Sequence, residues 1–530
     1  MSADRTKALP DALRGASLGG APIEEVRTTH ISWVFLTATE AYKVKRPVRL
    51  PFLDFSTLES RREACEAEVK KNRRLAGDVY RGVLRLCEGD GGLSLGGPGA
   101  VVDYVVHMRR LADEDSAAAR LRAGSLSWAD VDSVARRVAA FHEAVGPAPD
   151  GSLGDAPALQ KHVEENFRDA RSTLDQRREL DEAEAFQRAF LAQSQELFER
   201  RAQGGRVRDG HGDLRLDHVY FMRDGTLRIL DCVEFSDRYS VSDVTADLAF
   251  FSMDLAFHGR VDLAERFIAT YAAESGDFEV YSLVDFFEAY RALVRGKIEG
   301  FVATDPSAAE SERRAADAAG RRYLLLAVSS GRRATLAPSL TAVGGLIGAG
   351  KSSVSDALAR EFGAPVIEAD RTRKQLLGVP AHEHVDEGAF RGAYDPAFTE
   401  RVYEEMFRRA GLVLASGRPV VLDASFRSAA LRGAARDLAK RHGVPFRFVE
   451  CRAPLEVLRT RLLEREKRLV VSDARLPLLA DFAKRFEAVV ELGEEEHLVV
   501  DTSGPLEAVV DGLRHRRLVC DLAWPSRLTA

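Results

Sequence analysis

Apolar and polar residues alternate in two parts of the first half of the chain, and the alternation predicts β-strands. The segment ISWVFLTATEAYKVK, residues 31–45, is β-patterned with a polar break at residues 38–40, which predicts two strands joined by a turn. A helical pattern follows in LESRREACEAEVKKNRRL, residues 58–75. Two further β-patterned runs in VYFMRDGTLRILD, residues 219–231, flank Asp224-Gly225 and predict a hairpin.

Strand and helix patterns alternate in the last third of the chain. The apolar run LTAV, residues 340–343, precedes a glycine-rich loop, and SSVSDALAREF, residues 352–362, has a helical pattern. The runs APVIEAD and RPVVLDASF predict buried strands that end in Asp370 and Asp423. This alternation predicts a parallel α/β sheet that binds ligands at the carboxyl ends of its strands.

Between these halves, residues 308–328 predict an amphipathic helix that ends at Ser329-Ser330-Gly331. We therefore predict a first domain over residues 1–331, a linker over 332–338 and a second domain over 339–530. The alternative is that the linker is an internal loop of one large domain.

The overall composition excludes several classes of protein. The 530 residues carry a net charge of −6, which argues against a general nucleic-acid binder. The five cysteines show no CxxC spacing, so neither a disulfide framework nor a zinc site is indicated. The N-terminal residues lack the apolar segment of a signal peptide, and no stretch approaches 18 uninterrupted apolar residues. We expect a cytoplasmic protein with no membrane contact.

The segment GLIGAGKS, Gly345–Ser352, fits the pattern G-x-x-x-x-G-K-[ST] of a phosphate-binding P-loop. Its predicted position between a strand and a helix is the context that the motif requires. Lys351 is expected on the β- and γ-phosphates, and Ser352 on Mg²⁺. The residues that we assign to nucleotide binding here are Gly345, Gly348, Gly350, Lys351, Ser352 and Ser353.

Other charged residues of the last third fall where a P-loop enzyme places its chemistry. Asp423, at the end of a predicted strand, has the position of a Walker B metal ligand, although a strand-end Asp is often only a helix cap. Asp370 precedes Arg373 by three residues, and Arg461 and Arg465 are expected on one helical face. A solvated charged face is the alternative for the arginine pair.

Residues 340–505 resemble the small P-loop kinases that act on metabolites or nucleotides, such as gluconate kinase, zeta toxin and polynucleotide kinase. The resemblance implies that Asp370 accepts the proton of the acceptor hydroxyl and that Arg373 orients the acceptor. It also implies that Arg461 and Arg465 close over the phosphates and stabilise transferring charge.

The segment HGDLRLDHVYF, residues 211–221, resembles the catalytic loop of kinase-type phosphotransferases. The resemblance implies that Asp213 is the catalytic base and that Asp231, 18 residues later, is a metal ligand. Such loops usually carry a metal-binding Asn five residues after the base, where this chain has His218. Imidazole favours Mn²⁺ over the harder Mg²⁺, so His218 is a candidate metal ligand.

A kinase-like fold also requires a lysine on a β-hairpin and a glutamate on the following helix. Lys43 and Lys45 share one strand face, and we choose Lys43 because Ala41 then matches the small residue that precedes the lysine. Glu68 is the candidate ion-pair partner, with Glu66 as the alternate.

With these residues, residues 25–330 resemble the aminoglycoside phosphotransferase and choline kinase group. The resemblance implies a two-lobed protein-kinase-like domain of the α+β class, followed by the α/β P-loop domain. Asp243 and Asp247, after the metal ligand, are expected to be structural supports.

The combined prediction is an ATP-dependent phosphotransferase with two nucleotide sites that acts on small hydroxylated molecules with Mg²⁺ or Mn²⁺. One alternative is a regulatory protein in which one domain senses ATP and the other acts. The other is a nucleic-acid end kinase, which the lack of a basic excess disfavours. The acceptors and the oligomeric state are not indicated by any motif.

Overall fold

The computed structural model describes residues 9–10, 17–29, 31–50, 53–90, 92–330, 337–380, 383, 392–465, 476 and 479–515. Most of the predicted linker, residues 332–336, lies outside these ranges. The chain divides into two compact units, Met1–Asp254 with Tyr290–Gly320 and Leu255–Ala289 with Arg321–Ala530. Compactness alone does not show which pieces fold independently, so the predicted division at residues 332–338 stays a prediction.

The first unit begins with antiparallel β-structure. Its strands are β1 (Ser17–Leu18), β2 (Ala21–Pro22), β3 (Glu25–Thr28), β4 (Ser32–Leu36), β5 (Glu40–Lys45), β6 (Arg49–Leu50), β7 (Leu53–Asp54), β8 (Tyr80–Gly89), β9 (Gly92–Leu95) and β10 (Ala100–Arg109). Six of them form one sheet in the order β3-β4-β5-β10-β8-β9. The predicted hairpin over residues 31–45 is confirmed as β4 and β5, which pair from Leu36 opposite Ala41 to Ser32 opposite Lys45.

Helix α1 (Leu58–Ala76) lies against this sheet and is the helix predicted over residues 58–75. It begins at Thr57, whose side chain accepts a hydrogen bond from the Ser60 amide and satisfies one free N–H of the first turn. Its apolar face, with Cys65 and Val69, packs with residues of β5 and β10. That packing turns Glu68, on the same face, towards the sheet and away from water.

The rest of the first unit is mostly helical, with short strands that carry the predicted catalytic loop. Its helices are α2 (Ala117–Arg122), α3 (Trp128–Val145), α4 (Ala156–Thr173), α5 (Arg177–Gln193), α6 (Gln195–Gln203), α7 (Asp237–Ser240) and α8 (Thr245–Phe257). Its strands are β11 (Val207–Asp209), β12 (Val219–Phe221), β13 (Leu227–Ile229) and β14 (Val241–Asp243). The predicted hairpin around Gly225 is confirmed, since β12 and β13 pair antiparallel.

The second unit contains a parallel sheet, as predicted. Its strands are β15 (Leu340–Gly345), β16 (Val366–Glu368), β17 (Val420–Asp423), β18 (Phe446–Arg452) and β19 (His497–Asp501), in the order β16-β17-β15-β18-β19. The further helices along the chain are α9 (Val261–Ser275), α10 (Val284–Thr304), α11 (Glu310–Ser330), α12 (Lys351–Phe362), α13 (Ala369–Leu377), α14 (Pro396–Ala415), α15 (Ala429–Arg441), α16 (Leu455–Arg465), α17 (Leu479–Lys484) and α18 (Leu506–His515). None of the helices in the described ranges is long and apolar enough to cross a bilayer.

One predicted strand ends earlier than expected. The run that was predicted to end in Asp370 forms β16 only as far as Glu368, and Asp370 lies in the first turn of α13. A carboxylate is stabilised in the first turn of a helix by the exposed backbone N–H groups. Asp370 is therefore held by a helix start rather than by a strand end.

Helix α9 and the start of α10 belong to the second unit, where a buried arginine holds them. The Arg418 side chain is 4% exposed, and its Nε lies 2.8 Å from an oxygen of Glu265 while its Nη2 lies 2.8 Å from an oxygen of Asp285. A second contact links Gln375 of α13, whose side-chain amide donates to the Ala273 carbonyl. These polar contacts fasten residues 265–285 to the unit that contains the P-loop.

We expect Arg418→Ala to lower the free energy of unfolding by about 3–5 kcal/mol, because it leaves Glu265 and Asp285 without their buried counter-ion. Urea unfolding followed by circular dichroism measures the change. Arg408→Ala is the matched control, since its pair with Glu405 lies at the surface and is expected to contribute about 0–1 kcal/mol. Equal losses in the two variants would contradict a structural role for Arg418.

Candidate active sites

The glycines of the P-loop are required by close backbone approaches. Gly345 has φ 134°, and a Cβ built there would lie 2.4 Å from the Cys451 carbonyl oxygen of β18. Gly350 has φ 77° and is the residue from which helix α12 begins. A side chain at Gly345 would collide with the neighbouring strand, so the motif is what lets the loop turn at the end of β15.

The three functional side chains of the P-loop site converge at the start of α12. The Lys351 Nζ donates to the Leu346 carbonyl at 3.0 Å. The Lys351 ammonium and the Ser352 hydroxyl both act to lower the pKa of the Asp423 carboxyl group, at the end of β17. The predicted Walker A and Walker B residues therefore lie close together.

Asp423 is buried among other acids, and its pKa is raised to about 6. Burial is the largest cause, and the charges of Asp370 and Asp356 add to it, while Lys351 and the Ser352 hydrogen bond oppose it. Burial likewise raises the pKa of Glu368, at the end of β16, to about 7. A cation bound at this site would stabilise the ionised forms of these two carboxyl groups.

The oxygen donors of Ser352 and Asp423 fit a hard divalent cation such as Mg²⁺. Within the described ranges, no group of three or more His, Cys, Asp or Glu side chains is arranged to hold a metal ion. A cation held by Ser352 and Asp423 would therefore complete its shell with water or with phosphate oxygens. That requirement suits a cation that arrives with a nucleotide.

Asp370 and Arg373 form an ion pair beside this site. The Arg373 Nη1 lies 3.1 Å from an Asp370 oxygen, and its Nε donates to the Ala393 carbonyl at 3.0 Å. The guanidinium also stacks over the Tyr394 ring at 4.2 Å. With Arg373 held from three sides, the Asp370 carboxylate, which is 29% exposed, is positioned but still open to a ligand.

Arg461 lies next to the P-loop. Its Nη1 is 3.5 Å from the Gly348 carbonyl and its Nη2 donates to the Thr502 carbonyl. Arg461, Ser353 and Thr502 line a cavity of about 310 Å³ together with Gly348 and Gly350. Arg465 is the last residue of α16, and its side chain lies outside the described part of the structure.

In the first unit, the predicted lysine, glutamate and aspartate meet. The Lys43 Nζ lies 2.9 Å from a Glu68 oxygen and 2.8 Å from an Asp231 oxygen. Burial acts to lower the pKa of Lys43, but Asp231 and Glu68 hold that pKa well above its usual value. The alternate glutamate, Glu66, instead pairs with Arg62 at the surface.

The structure shows that Lys43 and Lys45 both contact Glu68, which the sequence did not predict. Lys45 is fully buried, and its Nζ lies 2.6 Å from the second Glu68 oxygen and also contacts Glu234. Both lysines therefore share Glu68, while Lys43 is the one that contacts Asp231. Alternation along β5 places both ammonium groups on one face, which is the only sequence signal for this arrangement.

Asp213 lies in a loop where its charge is compensated. The Arg215 Nε is 3.1 Å from an Asp213 oxygen, and the His218 Nδ1 donates to the Asp213 backbone carbonyl at 2.8 Å. Burial acts to raise the pKa of Asp213, but Arg215, His218 and Arg295 outweigh it and lower the pKa to about 2. Asp213 is therefore an ionised carboxylate, able to accept a hydrogen bond, at any pH near neutrality.

His218 lies beside Asp213, with its Nδ1 3.7 Å from a carboxylate oxygen. Its Nε2 accepts a hydrogen bond from Arg215 at 3.1 Å, and the charges of Asp213 and Asp231 act to raise its pKa. Burial is the main reason that its pKa lies below the usual value, so the ring is neutral near pH 7. To bind a metal through Nε2, the ring would have to lose the Arg215 contact, and its role as a ligand stays a prediction.

The loop that bears Asp213 is held by Asp247. Its two oxygens accept hydrogen bonds from the His211 amide at 2.6 Å and the Gly212 amide at 2.8 Å. Burial tends to raise the pKa of Asp247, but its hydrogen bonds and the nearby His142 and His211 lower it. A carboxylate that fixes two successive backbone amides is a positioning residue for Asp213.

A family model matches only the second half of the chain, whereas two mycobacterial relatives match nearly all of it. A family model described as "AAA domain" matches residues 340–489. The Mycobacterium bovis protein "Uncharacterized protein Mb2027c" is 34% identical over 501 residues, covering 93% of this chain and 95% of the relative. The Mycobacterium tuberculosis protein "Uncharacterized protein Rv2004c" is similar to the same extent.

Among solved structures, a gluconokinase from Sinorhizobium meliloti 1021 is 25% identical and aligns with 34% of this chain and 91% of its own, at a TM-score of 0.25. An APS kinase from Mycobacterium tuberculosis is 18% identical and aligns with 34% of this chain and 98% of its own, also at a TM-score of 0.25. At such TM-scores we base no functional inference on these alignments. The family match lies in the second half of the chain, so the resemblance of residues 25–330 to the aminoglycoside phosphotransferase group stays a prediction.

We expect the affinity of the P-loop site for Mn²⁺ to fall as pH drops through about 6, because protonated Asp423 cannot bind a cation. Electron paramagnetic resonance of Mn²⁺ with ADP measures binding at pH 5 to 8, in an Asp231→Asn, His218→Ala background that removes both candidate metal ligands of the first unit. The Mn²⁺ affinity of the protein that retains Asp423 is divided by that of the Asp423→Asn variant. This ratio should be constant above pH 7 and fall about tenfold per pH unit well below pH 6. A ratio that does not vary with pH would contradict the assignment.

Proposed function

The chain belongs to the family of the mycobacterial protein Rv2004c, and from its two charged sites we propose that it is an ATP-dependent phosphotransferase with two nucleotide sites. Each site would transfer a phosphoryl group to the hydroxyl of a small molecule. The observation that carries the proposal is that Lys351, Ser352 and Asp423 lie close together at the end of a glycine loop. These are the groups that a nucleotide and its cation need at one point.

In the second unit, one group of side chains would bind the phosphates and the cation of the nucleotide. Lys351 would exchange its contact with the Leu346 carbonyl for phosphate oxygens, and Ser352 with Asp423 would hold Mg²⁺. Bound Mg²⁺ would neutralise part of the phosphate charge. Arg461, already over the loop, would meet the charge that develops during transfer.

The acceptor of the second unit would be held by Asp370 and Arg373. The ion pair between them keeps the Asp370 carboxylate oriented, and its partial exposure leaves room for a hydroxyl. Asp370 would accept the proton of that hydroxyl as the phosphoryl group is transferred. Glu368, with a pKa of about 7, lies two residues away and is a second group that could take a proton there.

In the first unit, Lys43 and Glu68 would bind and orient the phosphates, and Asp231 would hold the cation. Asp231 has φ 60°, a backbone conformation that is rare for residues other than glycine. Such strain persists where the surroundings require it, often at functional sites. Asp213, ionised and supported by Asp247, would accept the proton of the acceptor hydroxyl.

A regulatory role for one nucleotide is the second candidate, and one observation favours it. Helix α13, which bears Asp370 and Arg373, contacts residues 273–274 through Gln375 and through Arg371, whose Nη1 lies 3.1 Å from Glu274. A change in residues 261–275 could therefore be transmitted to the acceptor site of the second unit. Single-site variants separate the two possibilities, because a purely catalytic pair of sites would lose activity independently.

We expect Lys351→Ala to remove one of two nucleotides bound per chain, because the lysine serves the phosphates of the second unit alone. Isothermal titration with ADP and Mg²⁺ measures the stoichiometry in the full-length protein. Lys440→Ala is the control, since Lys440 is an exposed lysine of the same unit. Unchanged stoichiometry and affinity in Lys351→Ala would overturn the P-loop assignment.

We expect Asp213→Asn, in a Lys351→Ala background, to slow transfer by the first unit about 10²–10⁴-fold while nucleotide affinity is retained. Radiolabelled ATP with a panel of sugars, sugar alcohols, nucleosides and aminoglycosides measures transfer. Asp217→Asn is the control, because Asp217 lies in the same loop and is 62% exposed. If both variants transfer phosphate at the same rate, Asp213 is not the base.

A further inference from the structure

A small cavity in the first unit lies among α4, α7, β14 and α10. Its polar lining consists of His162, Arg238, Tyr239, Tyr290 and Arg291, with Ser242 at one side. The cavity has a volume of about 20 Å³, and a void of about 10–15 Å³ already admits one water-sized group. It is therefore large enough for one oxygen atom of a ligand substituent and too small for a sugar ring.

Arg291 stands out among these side chains because it has no acidic partner in the part of the chain that the structure describes. It is 7% exposed, and its Nε donates to the Ala246 carbonyl at 3.3 Å. Its guanidinium lies 4.8 Å from the centre of the Phe250 ring and 5.6 Å from that of Tyr290. Burying a charged group without a counter-ion costs free energy, so the site favours an anion.

The neighbouring cations do have partners, and the electrostatic balance around the cavity is still positive. Arg238 pairs with Glu165 and donates to the His162 Nε2 at 2.7 Å, and Lys297 lies 3.2 Å from an oxygen of Asp169. The pKa of His162 is lowered to about 4, mainly by burial and further by Arg238, Arg291 and Lys297. The imidazole is thus neutral and accepts from Arg238, which leaves Arg291 as the uncompensated charge.

The cavity adjoins the loop that bears Asp213. A Cβ built at Gly212 would lie 3.0 Å from the carbonyl oxygen of Tyr239, which lines the cavity. Arg295, one helical turn after Arg291 on α10, is among the cations that lower the pKa of Asp213. Helix α10 therefore places Arg291 at the cavity and Arg295 near Asp213.

We propose that this cavity binds an anionic substituent, a carboxylate or a phosphate, of the molecule that is phosphorylated next to Asp213. The inference rests on the proposed phosphotransfer by the first unit and narrows its acceptor class. A planar guanidinium can donate two parallel hydrogen bonds to a carboxylate or phosphate, which a neutral hydroxyl cannot match. A polycation such as an aminoglycoside would meet the unpaired charge of Arg291 and be repelled.

Binding is measured in the Asp213→Asn protein, so that turnover does not interfere, with a non-hydrolysable ATP analogue present. The probes are D-gluconate for a carboxylate, D-glucose 6-phosphate for a phosphate, myo-inositol as a neutral polyol and kanamycin as a polycation. Isothermal titration should show at least one anionic probe binding about tenfold or more tightly than the neutral and cationic probes. Comparison of the two anions distinguishes a carboxylate from a phosphate site.

Arg291→Met should reduce the advantage of the anionic probe to about twofold or less, while affinity for the ATP analogue is unchanged. Arg188→Met is the matched control, because Arg188 is a 46% exposed arginine of the same unit. Should Arg291→Met fail to fold by circular dichroism, Arg291→Lys replaces it. Because lysine lacks the planar guanidinium, Arg291→Lys should lower the affinity for the anionic probe about threefold or more and leave the affinity for myo-inositol unchanged.

The outcomes separate this inference from the proposed function. Anion binding that depends on Arg291, in a protein that transfers phosphate to none of the probes, would support the cavity and count against phosphotransfer by the first unit. Transfer to neutral acceptors at a rate that Arg291→Met does not alter would support phosphotransfer and overturn the cavity assignment. An anionic preference that survives both Arg291 variants would also overturn it.

Discussion

Glu68 forms an ion pair with Lys43 through one carboxylate oxygen and with Lys45 through the other, and the candidate site of the first unit is built around these two contacts. Burying three ionic groups together is costly unless each finds opposite charge and hydrogen bonds. Asp231 and Glu234 meet that requirement from the other side, one on each lysine. Helix α1, strand β5 and the segment after β13 are therefore held in register by charge as well as by apolar packing.

The same constraint explains the connections within the second unit. Arg418 is buried and is stabilised by two carboxylates from α9 and α10, and Arg373 is held by a carboxylate, a carbonyl and an aromatic ring. Phosphate chemistry requires dense charge in places from which water is partly excluded. Partners for each charge are then needed to keep the protein folded when no substrate is bound.

Where a charge is left without a partner, the structure indicates a ligand. Asp423 and Glu368 have raised pKa values because burial and neighbouring carboxylates outweigh the charges of Lys351 and Arg371. Arg291 presents the opposite case, a buried cation with no acidic partner among the described residues. The acids near Asp423 therefore indicate a site for a cation, and Arg291 indicates a site for an anion.

Local chemistry in the sequence was enough to identify the P-loop, the parallel sheet and the hairpin at Gly225. The P-loop and the hairpin depend on residues that are near one another in the chain, such as the glycines that must adopt positive φ between β15 and α12. The parallel sheet was predicted from the alternation of strand and helix patterns. The candidate residues Lys43, Glu68 and Asp231 were also chosen from spacing and from a family resemblance, and the structure brings their side chains into contact. Their roles remain proposals, because contact does not show catalysis.

Tertiary structure alone decided the features that depend on distant residues. The double use of Glu68 by two lysines, and the inclusion of α9 in the unit of the P-loop, involve contacts across 23 residues in one case and 153 in the other. Asp370 lies in a helix start and not at a strand end, because the free N–H groups of α13 stabilise it there. No pattern along the chain shows that Arg291 has no carboxylate partner within the described ranges, since that depends on all the residues that pack around it.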